Sequence, residues 1–204
     1  MGKIGLLGCV AILLVVAIIF GIFAMSTYNK LVQLEEGVKA QWANVESAYQ
    51  RRLDLIPNLV ATVQGAATIE RDTLEAVINA RSRATQVMPG AAGAPDNPEA
   101  FAQFEAAQTQ VSSALARLLV VVEQCPQLQS QQRFGDLMHQ LEGTENRINV
   151  ERNRYNQLAQ AFNYAMRRFP ATLIARMMGF KAKEYFKSAP GAEQAPGVTF
   201  DFKK

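Results

Sequence analysis

Apolar residues dominate the chain near its start. Residues 4–25 carry no charged side chain, and a helix of that length is roughly 33 Å long, enough to cross a hydrocarbon core of about 30 Å once. Residues 26–29, Ser-Thr-Tyr-Asn, supply no Ala-x-Ala cleavage site, which favours an uncleaved anchor over a signal peptide. We therefore predict a membrane anchor at residues 1–25 that contacts the lipid bilayer through residues 4–25.

The pattern then changes to apolar side chains spaced by three and four residues, typical of one face of an amphipathic helix. This face comprises Leu31, Leu34, Val38, Trp42, Val45, Tyr49, Leu53, Ile56 and Val60. Pro57 lies inside it, yet apolar positions continue at Leu74 and Ile78. We therefore expect the helix to kink at Pro57 and to continue past it.

Glycine and proline crowd residues 88–98, which predicts a connecting loop. Asn97 is placed to cap the helix that follows, whose first turn carries Pro98. A stripe of apolar side chains predicts that this second helix ends near Gln124. Its last part, residues 118–122, is apolar on every side, which predicts burial in the centre of the bundle.

A third helix shows a sustained heptad between Ser130 and Pro170. Its seam comprises Phe134, Leu141, Ile148, Tyr155, Phe162 and Phe169, with polar Thr144 and Glu151 at alternate positions. Residues 171–186 mix apolar and basic side chains and predict a short helical cap. The alternation at residues 198–202 predicts a short docked strand within a tail rich in proline and glycine.

These apolar faces cover one another most simply in an all-α fold. We predict a single N-terminal transmembrane helix, then a long antiparallel bundle of three to four helices with a short helical cap and an extended C-terminal tail. The anchor is expected at residues 1–25, the bundle at residues 26–187 and a flexible or docked tail at residues 188–204.

Composition adds two exclusions to this picture. The 204 residues are 49% hydrophobic and include 21 basic and 18 acidic side chains. Lys3 is the only charged residue of the anchor, so the rest carries a net charge of +2, which argues against nucleic acid as a partner. The cysteines, Cys9 and Cys125, cannot build a disulfide framework or a thiolate metal site.

One candidate partner-binding cluster combines Arg51, Arg52 and Asp54 with Pro57 and Asn58. A proline inside a helix frees a carbonyl group that a partner could use. The interpretation we favour is that the charged residues form surface or intrahelical pairs, each worth only about 0.3–0.5 kcal/mol.

A second candidate cluster is Glu145, Asn146 and Arg147, beside the polar seam positions. Paired carboxylates raise an acid–base or di-metal hypothesis, but di-iron bundles use repeated Glu-x-x-His pairs and this chain has only His139. We expect instead that these groups pair with arginines of another helix and define the register of the bundle, or of a neighbouring subunit.

Motifs of known chemistry are missing from the sequence. It contains no His-Glu-x-x-His, Gly-x-Ser-x-Gly, glycine-rich phosphate loop or Cys-x-x-Cys. We therefore predict a protein that is not an enzyme, with no catalytic residue, no bound metal, no cofactor and no small-molecule substrate.

A basic segment with methionines offers two interpretations. Residues 167–187 carry several arginines and lysines around Met177, Met178 and Phe180. The segment could lie on an anionic membrane surface, or it could cap the end of the bundle. Because methionine and aromatic residues at helical spacing usually belong to a core, the cap is favoured.

The chain resembles the LemA family over residues 28–202. The matching segments are Tyr-Asn-Lys-Leu-Val at 28–32, Gln-Arg-Arg-Leu-Asp-Leu-Ile-Pro-Asn-Leu-Val at 50–60, Ala-Arg at 80–81, Leu-Glu-Gly-Thr-Glu-Asn-Arg-Ile at 141–148, Arg-Tyr-Asn at 154–156 and Gly-Phe-Lys at 179–181. The chain departs from the family pattern at residues 66–70 and 123–129. The resemblance implies a single-pass bacterial membrane protein with a long-helix bundle and no established enzymatic activity.

The leading functional hypothesis is a non-enzymatic scaffold or interaction protein that self-assembles through its long helices. The alternative is an adaptor or regulatory subunit of a membrane enzyme, such as a membrane protease, docking through residues 51–60. We expect location in the bacterial cytoplasmic (inner) membrane. Lys3 on one side and Lys30 and Lys39 on the other nearly balance, and a short N-terminal anchor favours a periplasmic or extracellular bundle.

Overall fold

A computed structural model describes residues 2–64, 70–125, 128 and 130–187. This part of the chain contains five α-helices and no strand, which confirms the all-α fold. The helices are α1 (Gly2–Val63), α2 (Arg71–Val87), α3 (Pro98–Glu123), α4 (Gln132–Arg167) and α5 (Ala171–Met177). The tail at residues 188–204, including the strand predicted at 198–202, lies outside the described residues.

Helix α1 contains the predicted anchor and continues unbroken into the bundle. From Ala11 onward its first part is long and apolar enough to cross a membrane. The prediction that the helix passes Pro57 is confirmed, since α1 ends only at Val63. The prediction that the same face continues through Leu74 and Ile78 is wrong, because both residues belong to the separate helix α2.

Helix α2 turns back along the end of α1 and packs mainly on α3. Arg81 in its middle donates a hydrogen bond from Nε to the carbonyl oxygen of Leu53, 2.9 Å away. The buried face of α2 comprises Leu74, Val77, Ala80 and Ala84. Ile78 lies outside this face and is 49% exposed, so the apolar stripe of α1 does not extend to it.

The segment predicted as a loop at residues 88–98 is largely a 3₁₀ helix, Met88–Asp96. Proline and alanine both tolerate helical backbone angles, and a 3₁₀ helix needs only short i→i+3 bonds. Ala94 and Pro95 are buried, so this connection is part of the packed structure. The loop prediction was therefore wrong about the backbone of this segment.

Helix α3 begins and ends close to its predicted limits. The predicted cap is confirmed, because Asn97 Oδ1 accepts hydrogen bonds from the backbone N–H groups of Glu99 (3.0 Å) and Ala100 (3.3 Å). The expected burial of residues 118–122 is wrong in part, since Val120 is 58% exposed. Only one face of α3 contacts its neighbours, so Leu118 is buried and Val120 is not.

Helices α1 and α4 form the most extensive helix–helix interface of the described bundle. The heptad on α4 is confirmed by the burial of Phe134, Leu141, Ile148, Tyr155 and Phe162. Phe169 departs from it, because α4 ends at Arg167 and Phe169 is 81% exposed beyond that end. Trp42 of α1 packs at the centre of an aromatic cluster, with its ring 5.2 Å from those of Phe104 and Tyr155.

The predicted cap at residues 171–186 is helical only over α5. From Lys181 to Lys187 the backbone is not helical and lies along α4. The Asn163 amide donates from Nδ2 to the Lys183 carbonyl at 2.9 Å and accepts from its N–H at 2.8 Å. Asn156 does the same with Phe186, at 2.9 Å in both directions.

The spacing of the two asparagines explains this arrangement. Asn156 and Asn163 are seven residues apart on a helix, about 10.5 Å at a rise of about 1.5 Å per residue. Lys183 and Phe186 are three residues apart, about 10 Å in extended backbone. Because these two lengths match, each asparagine side chain can bond the backbone of residues 181–187 in the way that a neighbouring strand would. An extended segment strapped along α4 by these two asparagines therefore takes the place of the predicted helical cap.

Lys183 joins this C-terminal segment to two further elements. Its ammonium group is fully buried, donates to Glu35 Oε1 of α1 at 2.7 Å and to Asp96 Oδ1 of the 3₁₀ helix, and lies 4.9 Å from the centroid of the Phe162 ring. A buried ammonium is stable only when paired. The segment is therefore attached by charge as well as by backbone hydrogen bonds.

We expect Asn163→Ala to release the segment from α4, because two buried backbone groups of Lys183 lose their partner at a cost of about 1–3 kcal/mol each. Hydrogen exchange of the full chain should then show faster exchange at the Lys183 amide than in the wild type. Asn153→Ala, an exposed asparagine on the same helix, is the control and should leave this amide protected. Equal exchange of this amide in both variants would contradict the attachment of the segment to α4 through Asn163.

Candidate partner-binding residues on helices α1 and α4

The candidate residues separate into three groups in the structure. Arg52 and Glu145 meet between helices, while Arg51 and Arg147 line a groove between α1 and α4. The remaining candidates are exposed and lie apart from this groove: Asp54, Pro57, Asn58 and Asn146. The two sequence clusters are therefore joined through their arginines and Glu145.

Arg52 lies at the centre of a hydrogen-bond network between three helices. Its side chain is 1% exposed, and Nη1 donates to Glu145 Oε1 of α4 at 2.6 Å and to Ser112 Oγ of α3 at 2.8 Å. Nη2 donates to the side-chain oxygen of Gln108 at 2.7 Å and to its carbonyl oxygen at 3.2 Å. The guanidinium carbon also lies 5.1 Å from the centroid of the Tyr49 ring.

This network overturns one expectation and confirms another. The favoured interpretation of Arg52 as part of a surface or intrahelical pair is wrong, because its side chain points into the bundle and bonds other helices. The expectation that Glu145 pairs with an arginine of another helix is confirmed. A desolvated guanidinium needs its hydrogen-bond partners, so the pair defines the relative position of α1, α3 and α4.

Asp54 pairs within its own helix as expected, whereas Arg147 pairs within α4 and not, as its cluster was expected to, with another helix. Gln50 Nε2 donates to Asp54 Oδ1 at 2.7 Å along α1. Arg147 Nε lies 3.6 Å from Glu151 Oε1, one turn further along α4. The exposed Gln50–Asp54 contact is of a kind worth about 0.2–0.5 kcal/mol, whereas Glu151 in the second pair is buried.

Pro57 frees a carbonyl group, and the fold supplies its partner. In a helix the N–H of residue 57 would bond the carbonyl of Leu53, and proline has no N–H to donate. Arg81 Nε occupies that place, donating to the Leu53 carbonyl oxygen at 2.9 Å. The Leu53 carbonyl, which was predicted to be open to an external partner, therefore bonds Arg81 inside the bundle.

The groove between α1 and α4 is cationic. Its walls carry Arg51 from α1 and Arg147 from α4, together with uncharged side chains. The other lining residues are Asn44, Ser47, Ala48, Gln140, Gly143 and Thr144. In the part of the chain that the structure describes, Arg51 forms no ion pair. Such a groove fits an acidic side chain better than a basic one.

Two half-buried carboxylates, Glu46 on α1 and Glu105 on α3, do not line this groove. Burial raises the pKa of Glu46, and a hydrogen bond from the Trp42 side chain opposes that rise. Burial also raises the pKa of Glu105, and the positive charge of Arg152 opposes it. Neither carboxylate lines the groove, so its cationic character is not neutralised by them.

Metal-ligating side chains do not cluster within the described residues. No group of three His, Cys, Asp or Glu side chains is close enough there to hold an ion. His139 is exposed on α4 and Cys125 is buried beyond the end of α3.

Sequence reasoning missed three residues on which the arrangement depends: Arg81, Asn163 and Lys183. A signal for Arg81 was present in the proline four residues after Leu53, which leaves one carbonyl to satisfy. The asparagines at positions 156 and 163 repeat the heptad spacing, which could have indicated a polar stripe for an extended segment. Nothing in the sequence indicated that Lys183 would be buried.

We expect Arg52→Lys to lower the free energy of unfolding by about 2–4 kcal/mol, because an ammonium cannot serve Glu145, Ser112 and Gln108 from one position. The adjacent exposed arginine gives a matched control, and Arg51→Lys should change that free energy by less than about 0.5 kcal/mol. Denaturant unfolding of the full chain, followed by Trp42 fluorescence, measures both. Similar losses for the two variants would contradict the assigned network.

A double-mutant cycle tests the pairing of Arg81 with the carbonyl freed by Pro57. Arg81→Ala should cost about 1–2 kcal/mol, since it leaves the Leu53 carbonyl unsatisfied. In a Pro57→Ala background the helix N–H satisfies that carbonyl, so the same substitution should cost distinctly less. Additive costs in the unfolding experiment would mean that Arg81 acts elsewhere.

Comparison with known proteins places the fold in a family. Three curated relatives align over 207 positions covering 94% of this chain and 75% of their own lengths. Two are the magnetosome proteins MamQ 1 and MamQ 2 of Paramagnetospirillum magneticum, each 28% identical to this chain, and the third is MamQ of Magnetospirillum gryphiswaldense, 27% identical.

The family model described as LemA family matches residues 41–200. This range contains most of the bundle, including Arg52, Pro57, Arg81 and both strapping asparagines. Among the described residues one helix, near the N-terminus, is long and apolar enough to cross a bilayer, which fits a membrane protein. The chain therefore belongs to the LemA family.

Proposed function

We propose that the protein is a non-enzymatic scaffold of the bacterial cytoplasmic (inner) membrane that self-assembles through its bundle. In this proposal the chain crosses the membrane once and carries the bundle on the periplasmic or extracellular side. The observation that supports it is the continuity of α1, which passes from the apolar segment to the core of the bundle as one helix. Whatever binds the bundle is thereby held rigidly at the membrane.

The length of α1 sets the reach of such a scaffold. From Met25 to Val63 the helix rises about 57 Å. Copies tethered in one membrane share an orientation and a high local concentration, which reduces the entropy lost on lateral association. Weak contacts along the bundle are then sufficient for assembly.

A second candidate is an adaptor or regulatory subunit of a membrane enzyme, such as a membrane protease. The specific observation that favours it is the cationic groove of Arg51 and Arg147, which fits an acidic segment of another protein. This alternative retains part of the 51–60 docking hypothesis, because Arg51 faces the groove while Asp54, Pro57 and Asn58 do not line it.

The mass of the full-length protein in detergent separates these two functions. Light scattering over a wide concentration range should find a defined homo-oligomer if the protein is a self-assembling scaffold. A monomer at every concentration would contradict self-assembly and leave the adaptor function.

A photo-crosslinking residue in place of Ser47, inside the groove, identifies the occupant in native membranes. An adduct of twice the chain mass is expected for self-assembly, and an adduct with a different protein for an adaptor. Ser113, exposed on α3, is the control position and should give no adduct. Arg51→Gln combined with Arg147→Gln should abolish the adduct, whereas Arg83→Gln with Arg117→Gln should preserve it.

A further inference from the structure

One end of the bundle exposes large apolar side chains. Phe169 is 81% exposed, Leu173 54%, Met177 70% and Met178 51%. They lie on and around α5, whose opposite face is formed by the buried Ile174 and Ala175. A short helix that packs one face on a bundle normally presents polar side chains on the other. The expectation that both methionines belong to a core is therefore wrong.

Basic side chains surround this apolar surface. Arg167, Arg168, Arg176 and Lys181 are all exposed, and the sequence from Tyr164 to Lys183 contains no acidic residue. Lys183 does not add to this exposed positive charge, because its ammonium group is buried and paired with Glu35 and Asp96. We call residues 167–181 the α5 collar.

The collar lies where α1 leaves the predicted bilayer. Phe23, inside the apolar run 4–25, lines the same groove as Phe169 and Pro170. Tyr28, just beyond that run, has its ring 5.9 Å from the ring of Phe180. Phe23 is two residues short of the end of the run, about 3 Å along the helix. The α4–α5 turn therefore reaches the level at which lipid headgroups begin.

We propose that the α5 collar is a second membrane-contact site that binds the headgroup region of an anionic bilayer. Its methionines, leucine and phenylalanine enter the boundary between headgroups and acyl chains. The surrounding arginines and Lys181 bind the phosphates, as in amphipathic helices that lie in the interface.

Two features select a bilayer over a second copy of the chain. The collar is continuous with the apolar surface of α1, so both meet the same membrane. Its charge is entirely positive, and two collars placed face to face would repel each other. The proposal does not depend on self-assembly, because a monomer has the same collar beside the same membrane helix.

Tryptophan quenching by brominated lipid tests the collar in the full chain reconstituted in bilayers. Trp42 is the only native tryptophan. It is buried in the bundle, about 25 Å along α1 from Met25, so the wild type should show no quenching. Met177→Trp should add tryptophan emission, and most of this added emission should be quenched in bilayers that contain brominated phosphatidylglycerol. Val150→Trp, at a similarly apolar site that is 47% exposed in the middle of α4, should add emission that survives.

The charge requirement is tested in the Met177→Trp chain. Replacing Arg167, Arg168 and Arg176 by glutamine should weaken the quenching, whereas the same change at the exposed Arg83, Arg117 and Arg133 should not. Bilayers of phosphatidylcholine alone should quench less than those containing phosphatidylglycerol. Equal quenching in both bilayers would overturn the anionic specificity. Emission at position 177 that resists quenching, including emission shifted to the blue by a protein neighbour, would overturn the membrane contact itself.

Discussion

The fold depends on one helix that serves two environments. From Ala11 to Met25 α1 presents apolar side chains in every direction, and after Met25 it becomes the helix on which α2, α4, α5 and the 3₁₀ helix pack. A helix satisfies its own backbone hydrogen bonds, so it can leave a bilayer and enter a protein core without a loop. The position of the bundle relative to the membrane follows from this continuity.

Several charged groups in the bundle core are bonded by neighbouring elements, although the Nε of Arg52 has no hydrogen-bond partner. The buried Arg52 guanidinium bonds α3 and α4, Arg81 completes the carbonyl that Pro57 leaves open, and the Lys183 ammonium joins Glu35 to Asp96. Each of these contacts has directional requirements that apolar packing lacks. They therefore determine the register of the helices, whereas the apolar stripes supply the general stability.

The membrane end and the C-terminal segment are structurally linked. Residues that strap the segment lie on α4, which ends in the turn that leads to α5. Lys183 also attaches the same segment to α1 through its ion pair with Glu35. The collar is thus held close to the membrane helix by the bundle itself, which supports a role for α5 at the bilayer surface.

The sequence by itself determined the apolar N-terminal part of α1, the three long helices, the Asn97 cap and the heptad of α4, because periodicity, capping and chain length act within one segment. Only the tertiary structure decided that Arg52 is buried while the adjacent Arg51 is exposed, that α1 ends at Val63, and that residues after Gly179 are strapped instead of helical. Those outcomes depend on groups distant in sequence, such as Arg52 with Glu145 and Asn163 with Lys183. A local pattern contains no information about which distant partner will complete a hydrogen bond.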